Sequence, residues 1–147
     1  MNTTEMKYKI DQLGNMNFFL EMVPPTVTAQ MHKVTFQHGR VRFYDTKELK
    51  AARQLFVTSL LPHSPIQPME GPVLLNVLWA FPTKSHKEGT YRTTRPDTDN
   101  LQKLLKDCMT AAGFWKDDAQ VCMEVVTKRW TRTTPGIHIG VEKLEEK

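Results

Sequence analysis

The sequence predicts a single α+β domain in which a mixed β-sheet is packed by two main helices. Three observations carry that prediction. Strand-like patterns occur near both ends of the chain, helical spacing occupies two stretches between them, and a continuous apolar run, VLLNVLWAF, separates those two helices. At 147 residues the chain is long enough to bury one core and too short for two. A hydrophobic content of 39% fits a soluble globular protein, and no apolar run reaches the roughly 20 residues that span a bilayer. The N-terminus has no basic-then-apolar signal, so the expected location is the cytoplasm.

The elements follow in order. Residues 1–15 are polar and without clear periodicity, so a loose leader is expected there; the folded domain then covers 16–147, with Met16 as an alternative start. Asn17–Val23 reads as a strand stopped by Pro24-Pro25. Alternating stretches at Val34–Phe36 and Val41–Phe43 flank the turn signal His38-Gly39, which fits a hairpin or a long basic loop. Asp45 or Thr46 can cap a helix over Lys47–Leu61, where Leu49, Ala52, Phe56 and Leu60 recur at helical spacing. Pro62, Pro65 and Pro68 impose a non-helical connection, and the apolar run within Pro72–Pro82 suits a central strand. Thr83–Arg95, polar and rich in cations, reads as a mobile loop. The second helix is expected over about Thr98–Ala112. Its wheel puts Leu101, Leu104, Leu105, Cys108 and Ala112 on one side, with Asp99, Lys103 and Lys106 opposite, and Gly113 ends it. Val121–Thr131 and Ile137–Val141 read as two strands of a hairpin turned at Thr134-Pro135-Gly136.

The net charge of +4 is moderate, but its distribution is uneven. Lys33, Arg40, Arg42, Lys47, Lys50 and Arg53 face only Asp45 and Glu48 in one segment; Lys84, Lys87, Arg92 and Arg95 face Glu88 alone in another. Either cluster alone is as well explained by a solvated charged face. Together they flank an acidic constellation in sequence, which fits a cationic surface holding phosphates around a metal-loaded centre.

That constellation consists of Asp97 and Asp99 before the second helix, and Asp117 and Asp118 after it. Converging carboxylates raise one another's pKa unless something positive stands between them, and a divalent metal is the usual solution. The short loops at both ends of the helix suggest that the two acidic elements meet at one place. The ordinary explanation is strong for each element alone. Aspartate is a good N-cap and complements the helix dipole, and an acidic pair after a glycine is a common turn. The D-x-D spacing exceeds what one cap needs, however. Lys103 shares a face with Asp99, where it makes either a weak i,i+4 ion pair or a group that steadies a phosphate. Magnesium binds through one or two carboxylates, keeps several waters, and completes its shell with phosphate oxygens. The five histidines, His32, His38, His63, His86 and His138, show no ligand spacing. Cys108 and Cys122 give no metal spacing either and are expected as buried, reduced thiols.

Asp97-Thr98-Asp99-Asn100-Leu101-Gln102-Lys103, followed by Ala112-Gly113-Phe114-Trp115-Lys116-Asp117-Asp118-Ala119-Gln120-Val121, closely resembles the signature of the RusA family of Holliday-junction resolvases. These are phage and prophage-type endodeoxyribonucleases. The match is dense and ungapped over about Asp97–Val121, and weaker similarity covers most of the chain after Met16. The resemblance implies a homodimer that binds four-way DNA junctions and cuts two opposed strands with Mg²⁺, for which Mn²⁺ can substitute. It places the essential carboxylates on Asp97, Asp99 and Asp118 and the catalytic lysine on Lys103, with Asp117 as a secondary ligand or orienting group. The departures are the longer basic segment Thr83–Arg95 and the leader. Arg40, Arg42, Lys47, Lys50, Lys84, Lys87, Arg92 and Arg95 are the expected grip on the DNA backbone. Two other functions compete with this one: a metal-dependent nuclease acting on flaps, forks or single strands, and a non-catalytic DNA-binding module whose acids are caps and turns.

Overall fold

A computed structural model describes residues 15–26 and 32–145. Apart from Asn15, the expected leader lies outside the described residues. Strands β1 (Asn15–Glu21), β2 (His32–Gln37) and β3 (Arg40–Asp45) precede helix α1 (Lys47–Leu60); β4 (Val73–Pro82), α2 (Thr98–Ala111), β5 (Val121–Thr131) and β6 (Gly136–Lys143) follow. Four strands form one mixed sheet in the order β1-β6-β4-β5, while β2 and β3 form a separate two-stranded sheet. The β2–β3 turn puts both His38 (φ 52°) and Gly39 (φ 74°) in the left-handed region, the pairing that type I′ hairpins require. Thr46 caps α1 by accepting from Leu49 N–H at 3.2 Å.

β4 is the central strand that its unbroken apolar run predicts. It pairs antiparallel with β6 and parallel with β5. The expected β5–β6 hairpin is therefore wrong, because β4 lies between the two strands. Residues 132–135 need only cross two inter-strand gaps, about 10 Å, which four residues span easily. Burial explains the choice. β6 offers Ile137, Ile139 and Val141 to the core, each no more than 2% exposed, and so takes an interior position. β5 exposes Cys122, Met123, Glu124 and Val125 and takes the edge. Cys122 is thus exposed, against expectation, while Cys108 is buried and its thiol is pushed up to about 11 by burial, partly offset by Arg53.

One face of the sheet carries the core. Met16, Phe18 and Leu20 of β1, the odd-numbered residues of β4 and those three β6 residues join Leu49, Phe56 and Leu60 of α1 and Leu101, Leu104 and Leu105 of α2 in one buried cluster. Among the described residues no helix covers the other face, and there Met123 and Val125 are about half exposed, at 53% and 50%. Close packing is strictest at Gly136, where an added Cβ would meet Phe19 Cζ at 2.2 Å and the Leu20 carbonyl oxygen at 2.4 Å. Gly136→Ala is expected to destabilise the domain by about 2 kcal/mol or more through overpacking against immovable backbone. A lowered urea midpoint at unchanged slope would show it. Among the described residues no helix is long and apolar enough to cross a membrane.

Candidate active site

The first acidic element is delivered by a strap, where a mobile loop was expected. Beyond β4 the chain turns back along the outer edge of β5: Gly89 N–H donates to Trp130 O (2.9 Å), Trp130 N–H to Thr90 O (2.8 Å) and Arg92 N–H to Lys128 O (3.0 Å). Aromatic contacts reinforce this ladder. Arg92 lies over Phe81 (4.2 Å) and Trp130 (4.7 Å), His86 stacks on Trp130 (4.5 Å), and Arg129 covers Tyr91 (4.3 Å). Glu88 accepts from Thr131 Oγ1 and from Arg132 N–H. Polarity and Gly89 suggested a loop because the partners stand some 40 residues further on in β5.

The strap ends in the turn before Asp97. Asp97 is the N-cap residue of α2 by backbone geometry (φ −73°, ψ 152°), yet its side chain makes no capping hydrogen bond. Asp99 follows in the first turn, and both carboxylates are exposed. Lys103 is exposed one turn later and pairs with neither; the ion pairs among the described residues are Arg53–Asp45, Arg53–Asp107 and Lys106–Glu124. The capping and ion-pair roles that would make this element ordinary are not the ones it adopts. What holds the helix is its other side, including Gln102, which sequence reasoning missed. Gln102 is 1% exposed, its Oε1 accepts from Trp79 Nε1 at 2.7 Å, and its Nε2 has no partner.

The second acidic element is built differently. Gly113 (φ 88°) ends the helix, and buried Phe114 and Trp115 anchor the chain that follows. Met69 N–H donates to Phe114 O, and Gln120 Nε2 donates to the carbonyls of Met69 (2.8 Å) and Gly71 (3.0 Å). Asp117 caps the following short 3-10 turn, accepting from Ala119 N–H at 2.9 Å, while Gln120 Oε1 accepts from Asp117 N–H. The Asp117 carboxylate is therefore engaged. The side chain of half-buried Asp118 has no hydrogen-bond or ion-pair partner among the described residues.

The two elements do not meet within one chain, contrary to the expectation drawn from the short loops. α2 connects the end of β4 to the start of β5, and those strands are parallel, so the helix ends stand at opposite ends of the sheet. Fourteen helical residues separate them by about 21 Å. Among the described residues no three His, Cys, Asp or Glu side chains stand close enough to share an ion.

The predicted cations are mostly accessible. Arg40 at the start of β3, Lys47 and Lys50 of α1, and Lys84, Lys87 and Arg95 around the strap are exposed; Arg42 sits in β3 opposite Thr35. Arg92 differs. Its Nε donates to Thr94 Oγ1 (3.1 Å) and its Nη2 to Arg95 O (2.5 Å), and burial lowers its guanidinium from the ordinary value while leaving it protonated at neutral pH. Lys128 was also missed: its Nζ donates to Thr94 O and Pro96 O, both at 2.8 Å. Lys128-Arg129 in an otherwise strand-like segment was the available signal.

The family model for Endodeoxyribonuclease RusA matches residues 23–142. The chain is 31% identical over 112 residues to the crossover junction endodeoxyribonuclease of Lactococcus phage r1t, covering 71% of this chain and 79% of that protein. It is 36% identical over 87 residues to the enzyme so named from Shigella sonnei strain Ss046 (58% and 64%). Against that of Escherichia coli strain K12 it is 67% identical over 27 residues, covering 18% and 22%. The chain belongs to the RusA family, and it is an endodeoxyribonuclease.

Proposed function

We propose that the protein is a homodimeric Mg²⁺-dependent resolvase that cuts four-way DNA junctions by paired nicks on opposed strands, in DNA recombination and repair. The observation that carries this reading is a set of unpartnered side chains. Among the described residues the side chains of Asp97, Asp99, Lys103 and Asp118 have no hydrogen-bond or ion-pair partner, while those of Arg92, Lys106, Asp117 and Gln120 are engaged. Carboxylates without partners suit a hard cation such as Mg²⁺ or Mn²⁺, and two of them on one helical turn fit its small protein share of ligands. Asp97 and Asp99 of one subunit would hold the ion, completed by Asp118 of a second copy, since within one chain that residue lies at the far end of α2. When bound, the ion would lower the pKa of a water and offset charge on the displaced phosphodiester.

Lys103, one turn beyond Asp99, would donate to a non-bridging oxygen of the scissile phosphate and hold it in line. Asp117 serves as an orienting group for the 3-10 turn that carries Asp118. The exposed cations Arg40, Lys47, Lys50, Lys84, Lys87 and Arg95 would contact backbone phosphates, making binding steeply salt-dependent. Two sites related by a two-fold axis match a substrate with the same symmetry. Incubating a synthetic immobile four-way junction with and without Mg²⁺, then mapping the cuts, tests the reading. Symmetric nicks on opposed strands that need the metal are expected. Equal cutting of linear duplex would replace resolvase with a broader nuclease, and binding without any cleavage would leave a DNA-binding module.

A further inference from the structure

The geometry points to Lys128 and Arg92 as positioning residues that set the Asp97 carboxylate by clamping the turn in front of it, an inference that rests on the reading of Asp97 as a metal ligand. The three peptide carbonyls before Asp97 are all held by cations. Lys128 Nζ takes those of Thr94 and Pro96, each at 2.8 Å, and Arg92 Nη2 takes that of Arg95. Arg92 Nε also fixes the Thr94 hydroxyl at 3.1 Å. Both cations are seated against the sheet. Arg92 is seated over the Phe81 and Trp130 rings, and Lys128 sits in β5 with its carbonyl bound to the strap. Phe81 is in turn 1% exposed and part of the core, so the clamp refers the turn to the rigid sheet.

The physical need for such a clamp is plain at this spot. Asp97 is the last residue before α2, and its side chain makes none of the hydrogen bonds that usually fix an N-cap. With no partner of its own among the described residues, its carboxylate is oriented through its backbone. Groups that orient a ligand without touching the ion typically govern metal affinity by about 10–100-fold. An Arg contacting DNA phosphate would present its fork outward; this fork is turned into the turn.

The test uses the full chain and Lys128→Met, which keeps most of the aliphatic stem and removes the ammonium. Metal binding is read directly by calorimetry with Mn²⁺ and no DNA, together with the Mg²⁺ dependence of junction cleavage. The expected result is a metal midpoint raised by about tenfold or more, with a much smaller fall in the cleavage plateau and unchanged junction binding in EDTA. Lys128→Arg, which still offers donors to both carbonyls, restores most of the midpoint. Arg92→Lys keeps the charge but loses the ring stacking and the fork, and it shifts the midpoint in the same direction even if Lys128→Met fails to fold. A wild-type metal midpoint in either folded variant overturns the inference, as does a loss confined to metal-free junction binding. If the unaltered protein neither binds metal nor cuts junctions, the resolvase reading itself has failed.

Discussion

Asp99→Asn is expected to reduce Mg²⁺-dependent junction cleavage by about a thousandfold while leaving the fold intact. The size follows from the work the carboxylate would do. Charge stabilisation by a bound ion contributes several kcal/mol to the transition state, and each ~1.4 kcal/mol corresponds to a tenfold change in rate. The intact fold follows from the structure. Asp99 is exposed, its carboxylate has no ion-pair partner among the described residues, and the replacement is isosteric. Stability should therefore stay within about 0.5 kcal/mol of the parent, the usual range for surface changes. Junction affinity measured in EDTA should be equal or tighter, because one negative charge next to phosphate is removed. Cleavage at the parental rate would sink the mechanism. A large drop in melting temperature would mean that Asp99 is a structural residue after all.

What the sequence revealed and what it hid divide along a physical line. Local rules worked where the interaction partners are local. His38-Gly39 formed its tight turn, Thr46 capped α1, the 3.6-residue spacing of Leu101, Leu104 and Leu105 set the buried side of α2, and Gly113 took positive φ. Inference was incomplete where the partner is remote in sequence. Thr83–Arg95 has no helix or strand, as expected of a loop, but its contacts with Trp130, Thr131 and Lys128 of β5 could not be read locally. The β5–β6 hairpin was drawn from adjacency, although the exposure of β5 and the burial of β6 favour opposite sides of β4. The acids were readable as a set, but their convergence was not. A helix of 14 residues between two parallel strands holds its ends apart whatever the loops do.

That separation leads to the second large effect: two inactive proteins should regain activity when their subunits are mixed. β5 is the edge strand, and its outer side is divided in two. Residues 128–130 are covered by the strap, with Trp130 using both its N–H and its C=O and Lys128 its C=O. By strand alternation, Glu124 and Val126 then point their backbone groups outward over 123–127, beyond the register shift at Cys122, and no strand among the described residues follows there. An open, partly apolar edge of this length invites pairing. A second copy paired antiparallel about Glu124 would set Met123, 53% exposed, against Val125 of the partner subunit, 50% exposed in the lone chain. Val121 of the partner subunit would then lie opposite Thr127, beside the point where Arg92 leaves the edge. The residues just before it would run on towards the turn that delivers Asp97, bringing the Asp118 carboxylate of that subunit to Asp97 and Asp99. Each site would thus draw on two chains. Asp99→Asn and Asp118→Asn homodimers should both be inactive, because each lacks part of both sites. In a mixed dimer both lesions fall in the same site and the other is whole. Random assortment makes roughly half the dimers mixed, each with one whole site of two, so about a quarter of parental nicking should return. Mn²⁺ stoichiometry should recover in parallel. If doubly tagged mixed dimers are isolated and remain inactive, the site shared between two chains is wrong.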